Sequence, residues 1–261
     1  MSTVPSEQTA LVTGAGKRLG RSIALGLAAA GWDVAIHYGT SAEHAQQTVR
    51  DIEALGRRAV ALQADLASEA SVSTLIARCA ESLGLPSCIV NNASLFDYDL
   101  AESFSFGRLH AHMQVNVAAP VCLARDLFRA RSQSAHVFEH PAVVINLLDQ
   151  KLLNPNPDFL SYTLSKAALL EATRLLAQAL APHVRVVGLA PGITLVSGDQ
   201  TETSFKQAHN LTPLGKSSTP EDITAAAVYL ARAHAVTGTT LYVDGGQHLK
   251  ASARDVMFLT S

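Results

Sequence analysis

Thr9-Ala-Leu-Val-Thr-Gly-Ala-Gly-Lys-Arg-Leu-Gly20 joins a short apolar strand pattern to a three-glycine loop, and a helical pattern from Leu19 to Ala30 follows. Glycine lets a backbone turn tightly and come close to a pyrophosphate, and the N-terminus of the next helix favours its negative charge. The same loop could be an ordinary strand-to-helix turn. Its position at the first such junction of the chain favours the phosphate reading.

Working outward, the pattern repeats. Strand-like runs at Thr9–Val12, Asp33–His37, Arg58–Gln63, Cys88–Val90, Ala142–Leu147, Val184–Leu189 and Thr240–Val243 alternate with helical stretches. The latter cover Leu19–Ala30, Ala42–Leu55, Glu69–Ser82, about Leu109–Arg131, Phe159–Ala181 and Pro220–Ala231. Gly31 and Gly56 follow two of these helices, where a left-handed cap is wanted. Thr219-Pro-Glu-Asp222 starts another, with a capping hydroxyl, proline in the first turn and acids at the positive dipole end. Strands alternating with helices build βαβ units. The fold class expected is α/β: a Rossmann-type, doubly wound parallel sheet of about seven strands with helices on both faces. No linker or composition break divides residues 1–261, which predicts a single domain. The longest stretch without clear pattern, residues 193–218, holds Gly198, Asp199 and Gly215 and reads as a substrate loop.

Composition narrows the function classes. The net charge is −2 and 48% of residues are hydrophobic. No basic cluster suggests nucleic acid or an anionic membrane, and no apolar run approaches the ~18 residues of a membrane helix. Met1-Ser-Thr-Val-Pro-Ser-Glu-Gln8 is polar and lacks the apolar core of a secretory leader. Cys79, Cys88 and Cys122 are scattered and mostly in apolar contexts, which predicts buried thiols, no metal site and a cytoplasmic protein.

The second strand ends His37-Tyr38-Gly-Thr-Ser41 without the acid that would hold a free ribose 2′-hydroxyl, and Asp33 stands at its wrong end. Lys17 and Arg18 put positive charge in the glycine loop, and Ser41 offers a hydroxyl. A 2′-phosphate suits this set, so NADPH is expected over NADH. Lys17 could equally be a solvated loop lysine.

Tyr162 and Lys166 lie one helical turn apart, able to act on one small volume. Thirteen positions before Tyr162, Asp149 ends the apolar run Ala142-Val-Val-Ile-Asn-Leu-Leu148. Asp149 could also cap the next segment or pair with Lys151.

Taken together, Thr13-Gly14…Gly20, Asp65, Asn91-Asn-Ala93, Asn116, Tyr162…Lys166, Pro191-Gly192 and Val243-Asp-Gly-Gly246 resemble the short-chain dehydrogenase/reductase family nearly end to end. Three positions depart from the family pattern: Arg18 replaces a glycine, Ser94 replaces a glycine, and Asp149 replaces the catalytic serine. With Lys17-Arg-Leu-Gly20, His37-Tyr38 and Asn92-Ala-Ser-Leu-Phe96, they resemble the pteridine reductase and dihydromonapterin reductase subgroup. One mismatch is Gly39-Thr40, where eukaryotic members carry a further arginine. The resemblance implies catalytic roles for Asp149, Tyr162, Lys166 and Asn116, the last by distorting its helix and holding a water. It implies a cofactor site of Gly14, Lys17, Arg18, Leu19, Gly20, His37, Tyr38, Ser41, Asp65, Leu66, Asn92, Ala93, Ser94, Tyr162, Lys166, Pro191, Gly192 and Ile193. It further implies that Arg18, Ser94, Phe96, Asp149 and Tyr162 hold the substrate, with Phe96 stacking on it, and that the chain forms a homo-oligomer, by the family's habit a tetramer.

A free tyrosine titrates near about 10, and a neighbouring ammonium, together with the positive nicotinamide ring of the oxidised cofactor, would lower that value. The expected chemistry is hydride transfer from NADPH to a C=N bond of a dihydropterin. An ionised aspartate would repel the alkoxide of a reduced ketone, whereas a pterin offers ring N–H groups and nitrogens that must gain protons. The alternatives are a carbonyl or 3-oxoacyl reductase of the same fold, and an NADPH-binding regulator without turnover. His136-Val-Phe-Glu-His140 matches a zinc-peptidase pattern, but Pro141 disfavours the helix that pattern requires.

Overall fold

The computed structural model describes residues 8–196 and 201–258. Gly198 and Asp199 of the expected substrate loop lie outside the described residues. Seven parallel strands form one sheet: β1 (Thr9–Val12), β2 (Asp33–Tyr38), β3 (Ala59–Gln63), β4 (Cys88–Asn91), β5 (Ala142–Leu147), β6 (Val184–Pro191) and β7 (Thr240–Val243), in the order β3-β2-β1-β4-β5-β6-β7. All seven strand expectations fall on these elements.

The apolar runs are continuous because both faces of the sheet are covered. Side chains alternate between two cores. Ala10, Val12, Val34, Ile36, Val90, Ile145, Val187 and Leu189 face one. Leu11, Ala35, Ile89, Val144, Val184 and Val186 face the other. The first core is closed by α1 (Arg18–Ala29), α2 (Ala42–Ala54) and α9 (Pro220–Arg232). The second is closed by α3 (Glu69–Val72), α4 (Leu75–Leu83), α6 (Ala119–Ser132) and the buried side of α7 (Leu160–Ala179). Among the described residues no helix is long and apolar enough to cross a membrane. The three cysteines are free and buried, and burial pushes Cys79 and Cys88 up to about 12.

Three helical details differ from expectation. The stretch read as one helix from Glu69 breaks between α3 and α4, at Ser73 and Thr74. The helix expected from about Leu109 is α5 (Phe106–Met113), a wide π-type turn at Gln114–Ala118, and then α6. Pro120 has no N–H to give the Asn116 carbonyl four residues earlier, and the wider turn absorbs that gap. Finally, the patternless segment 193–218 contains α8 (Glu202–Asn210), which starts at a reciprocal Thr201–Ser204 cap. The segment His136–His140 is not helical, so its two histidines do not share a helix face.

Between β3 and β4 the chain crosses from one side of β1 to the other, making the carboxyl ends of β1 and β4 the switch point where such sheets bind ligands. The glycine loop and the loop after β4 meet there. Asn92 donates from its amide to the Thr13 and Gly14 carbonyls, at 2.9 and 3.3 Å, and Thr13 Oγ1 accepts from the Asn92 and Ala93 N–H groups at 3.0 Å. A Cβ on Gly20 would sit 2.4 Å from both Asn92 Nδ2 and the Gly14 oxygen. Gly20→Ala is therefore expected to lower unfolding stability by about 1–3 kcal/mol in denaturant titration; an unchanged midpoint would contradict this close packing.

Candidate active site

Asp149 follows β5, and its two carboxylate oxygens do different work. Oδ1 accepts the Lys151 N–H at 2.8 Å and so caps a short 3₁₀ turn, Gln150–Leu153. Oδ2 accepts the Tyr162 hydroxyl at 3.0 Å. The capping role and the link to Tyr162 thus hold together, one on each oxygen. Lys166, one turn along α7, turns its ammonium to the Leu147 carbonyl at 2.7 Å, with Nζ 5.6 Å from the Tyr162 ring centroid.

This arrangement corrects one expectation. Tyr162 was expected to be acidified by Lys166 together with the oxidised nicotinamide, and the chain's own groups do not supply the lysine's share. Instead, burial first and the Asp149 carboxylate second hold its hydroxyl well above the usual tyrosine range. The lysine is bound to a carbonyl, while the carboxylate is hydrogen-bonded to the phenol itself. Burial also raises Asp149, and it pushes Lys166 down to about 8.

Tyr162, 8% exposed, forms part of the wall of a cavity of about 470 Å³. Arg18, Leu19, Asn92, Ser94, Phe96, Asp149, Lys166, Pro191, Gly192 and Ile193 line the same cavity. Arg18 stands at φ 52, the left-handed region, at the position where a glycine was expected. Its guanidinium donates to the Val196 carbonyl at 2.7 Å, reaching across to the segment after β6. A non-glycine residue held so costs of order 1–3 kcal/mol, a strain that collects at functional sites. Phe96 remains 43% exposed, but one ring face stacks on Phe159 at 4.2 Å, and the ring meets Tyr162 edge-on at 4.6 Å.

Asn116, buried in the π-type turn, has its whole amide engaged. Oδ1 accepts from the Leu95 N–H at 2.8 Å and from Ser94 Oγ at 3.2 Å, and Nδ2 donates to the Leu95 carbonyl and Ser165 Oγ at 3.0 and 2.9 Å. It clamps the Ser94 loop to α7.

The rest of the expected cofactor set lies along the carboxyl edge. Lys17 and Asp65 are exposed, while Tyr38, Ser41 and Leu66 are half-buried. His37 is different: it is buried, accepts the Gly14 N–H at Nδ1 and meets the Ala64 carbonyl through Nε2, and burial lowers it to about 4. It supports the glycine loop from beneath instead of offering a group to a ligand. Asp33, the acid at the other end of β2, pairs with Arg57 and Arg58 at 2.8 and 2.7 Å. A Cβ on Gly192 would meet Ser217 Oγ at 2.6 Å and Asp244 Cα at 2.8 Å, so the strand end can turn there only as glycine.

Sequence reading missed the far wall of the cavity. Asn154, Asn156, Lys250, Arg254 and Asp255 line it. Behind it, Asp158 is fully buried and holds Arg254 Nε at 2.9 Å, the Asp255 N–H at 2.7 Å and the Tyr98 hydroxyl at 3.1 Å. These contacts span 60 to 97 positions and leave no local pattern. Phe159 had one local signal, its place three residues before Tyr162.

The clamp at Asn116 is testable by itself. Asn116→Ala removes the acceptor of the Leu95 N–H, while the Leu95 carbonyl keeps Ser94 Oγ and the Ser165 hydroxyl keeps the Tyr162 carbonyl, and about 1–3 kcal/mol of unfolding free energy should be lost. A loss below about 0.5 kcal/mol would contradict the clamp.

A family model described as enoyl-(acyl carrier protein) reductase matches residues 14–248. Among solved structures, FolM alternative dihydrofolate reductase 1 from Brucella suis, in complex with NADP, is 35% identical with a TM-score of 0.88, covering 95% of this chain and 98% of that one. The 3beta-hydroxysteroid dehydrogenase 1 of Eggerthella lenta is 34% identical over 252 residues, covering 93% of this chain and 94% of that protein. Pteridine reductase 1 of Leishmania tarentolae is 31% identical over 288 residues, with coverage of 95% and 99%. Relatives at similar identity thus carry different substrate names, but the match runs across the glycine loop, the Asp149–Tyr162–Lys166 site and the strand ends around them. The chain belongs to the short-chain dehydrogenase/reductase family of oxidoreductases.

Proposed function

We propose that this oxidoreductase uses NADPH to reduce a C=N bond of a dihydropterin or a related pteridine. The observation that carries this reading is the Asp149 carboxylate bonded to the Tyr162 hydroxyl at 3.0 Å, at the position where the family has a serine. An anion there opposes a developing alkoxide, so it disfavours ketone reduction. It suits a heterocycle whose ring nitrogens must be protonated and whose N–H groups need an acceptor. The NADP-bound Brucella dihydrofolate reductase and the Leishmania pteridine reductase support the same substrate class.

The residues present fit a dinucleotide. Gly14 and Gly20 allow backbone contacts that a Cβ would block, and α1 opens with Lys17 and Arg18 and without any acid in its first turn. The end of β2 has no carboxylate to oppose a 2′-phosphate, which supports NADPH over NADH. Lys17 and Ser41 would hold that phosphate; Asp65, Leu66, Asn92 and Ala93 would line the rest of the cofactor, with Pro191, Gly192 and Ile193 beside the nicotinamide. When bound, the cofactor supplies the hydride.

The remaining work belongs to the chain. Tyr162, kept protonated by burial and Asp149, gives its proton to the ring nitrogen. Asp149, raised by burial, resupplies that proton or accepts the substrate's N–H groups. Lys166 carries its charge below about 8 and loses it as pH rises through that value. Arg18, Ser94 and Phe96 orient the ring in the cavity. The chain forms a homotetramer by the family's habit, and the Phe106, Leu164 and Leu175 side chains, exposed on α5 and α7, are apolar groups that a subunit interface would cover.

Oxidation of NADPH with a panel of dihydropterins, an oxidised pterin and simple ketones tests the reading, with Asp149→Ser beside wild type. Dihydropterin turnover should exceed that of every ketone and fall off on the alkaline side near pH 8 as Lys166 deprotonates. Asp149→Ser should lose about 10²-fold or more in kcat/KM for the pterin. Faster turnover of a ketone, or unimpaired pterin turnover by Asp149→Ser, would overturn it, and NADH binding as tightly as NADPH would overturn the cofactor preference.

A further inference from the structure

The C-terminal segment reaches Asp149 through one side chain. Lys151 stands two residues after Asp149 and is 3% exposed. Its backbone N–H holds Asp149 Oδ1 at 2.8 Å, and its ammonium donates to the Asp158 carbonyl at 2.5 Å and lies 3.6 Å from the Asp255 carboxylate. A buried ammonium is strongly destabilising unless a carboxylate accompanies it. Asp255 provides that carboxylate, and its own backbone is fixed by Asp158, which is fully buried. Arg254 adds the second tie to Asp158, and Phe258 stacks on Phe159 at 6.2 Å, behind Phe96.

From this geometry we infer that Asp255 is a positioning residue for the Asp149–Tyr162 pair, acting through Lys151, so that the C-terminal segment completes the active site. The inference rests on the reading of Asp149 and Tyr162 as the proton-handling pair. With Lys151 anchored, the turn Gln150–Leu153 is fixed, Oδ1 of Asp149 is held by the Lys151 N–H, and Oδ2 is left to face Tyr162. The charged and titratable groups around Asp149 are Tyr162 and Lys166 from α7, Lys151 from its own turn and Asp255 from the C-terminal segment. Asp255 is the anion among them, and its charge works to keep protons on both Asp149 and Tyr162. Asp255 lines the same cavity as the pair, so a substrate entering the cavity meets the positioning group and the proton donors together.

The test uses the full chain, with Asp255→Asn, Asp255→Glu, Lys151→Met and the double variant Lys151→Met/Asp255→Asn. Dihydropterin kcat and KM are measured from about pH 5 to pH 9, with melting temperatures alongside and Asp149→Ser as reference. Asp255→Asn should lower kcat about tenfold or more with little change in the KM for NADPH. Its pH–rate profile should move to lower pH, and Asp255→Glu should restore both. The double variant, which removes the buried charge with its partner, should fold and be no slower than the worse single variant. It keeps the test open should Asp255→Asn or Lys151→Met fail to fold, through the same lowered kcat and shifted profile. A wild-type profile in Asp255→Asn overturns the inference, even if the melting temperature falls, because a merely structural contact would leave the profile in place. Loss of turnover in Asp149→Ser beside a wild-type profile in Asp255→Asn would sink this inference alone. Retained turnover in Asp149→Ser would sink the reading on which it rests.

Discussion

A carboxylate half-buried beside a cavity at the end of a parallel strand needs hydrogen-bond partners, and the Tyr162 hydroxyl and the Lys151 N–H meet that demand at Asp149. Most of the site follows from this constraint. Tyr162 is held in place from the front by Asp149 and from the side by Phe96, which itself rests on Phe159. Lys166 is directed to the Leu147 carbonyl of the same strand. Asn116 ties the Ser94 loop to Ser165 on the helix that carries Tyr162 and Lys166. Apart from Asn116, in the π-type turn before α6, each partner is presented by the carboxyl edge of the sheet or by α7 beside it, so the rigidity of the sheet becomes the precision of the site.

The pair also explains why Tyr162 and Lys166 alone say little about substrate. A tyrosine beside a lysine can pass a proton in many reductions. A tyrosine already bonded to a carboxylate has its phenolate disfavoured, and burial raises both partners in the same direction. In the proposed reaction such a site serves as a proton source more than as an oxyanion host. Lys166, lowered to about 8 and turned to a carbonyl, contributes positive charge near the strand end without stabilising the phenolate directly.

Much of this was legible in the sequence, for physical reasons. Strands buried on both faces read as uninterrupted β-branched runs, so all seven could be found, and a parallel sheet puts strand-end residues such as Asp149 where ligands bind. The Tyr162–Lys166 spacing is helical geometry and needs no tertiary information. What stayed hidden had no local signature. The α8 helix begins with Thr201 and Ser204 capping each other, a pairing that departs from the usual Ser/Thr-to-Glu pattern. The Asp158–Arg254–Asp255 contacts join residues 96 and 97 positions apart. The phenol's direction of shift is set by burial and by the Asp149 carboxylate turned towards it, which are matters of tertiary placement and not of local sequence. His37 could be placed at the glycine loop but not seen to be buried beneath it.

The claim at the centre is that Asp149 is a protonatable acid bonded to Tyr162. Carboxyl-carbon NMR titration of aspartate-labelled protein, with Asp149→Asn to assign the signal and Tyr162→Phe for comparison, measures it directly. The account predicts that Asp149 titrates clearly above the ordinary aspartate value of about 3.9 and moves higher still when Tyr162→Phe removes the hydroxyl that steadies its charged form. Titration of Asp149 at or below that value, or no response to Tyr162→Phe, would contradict it.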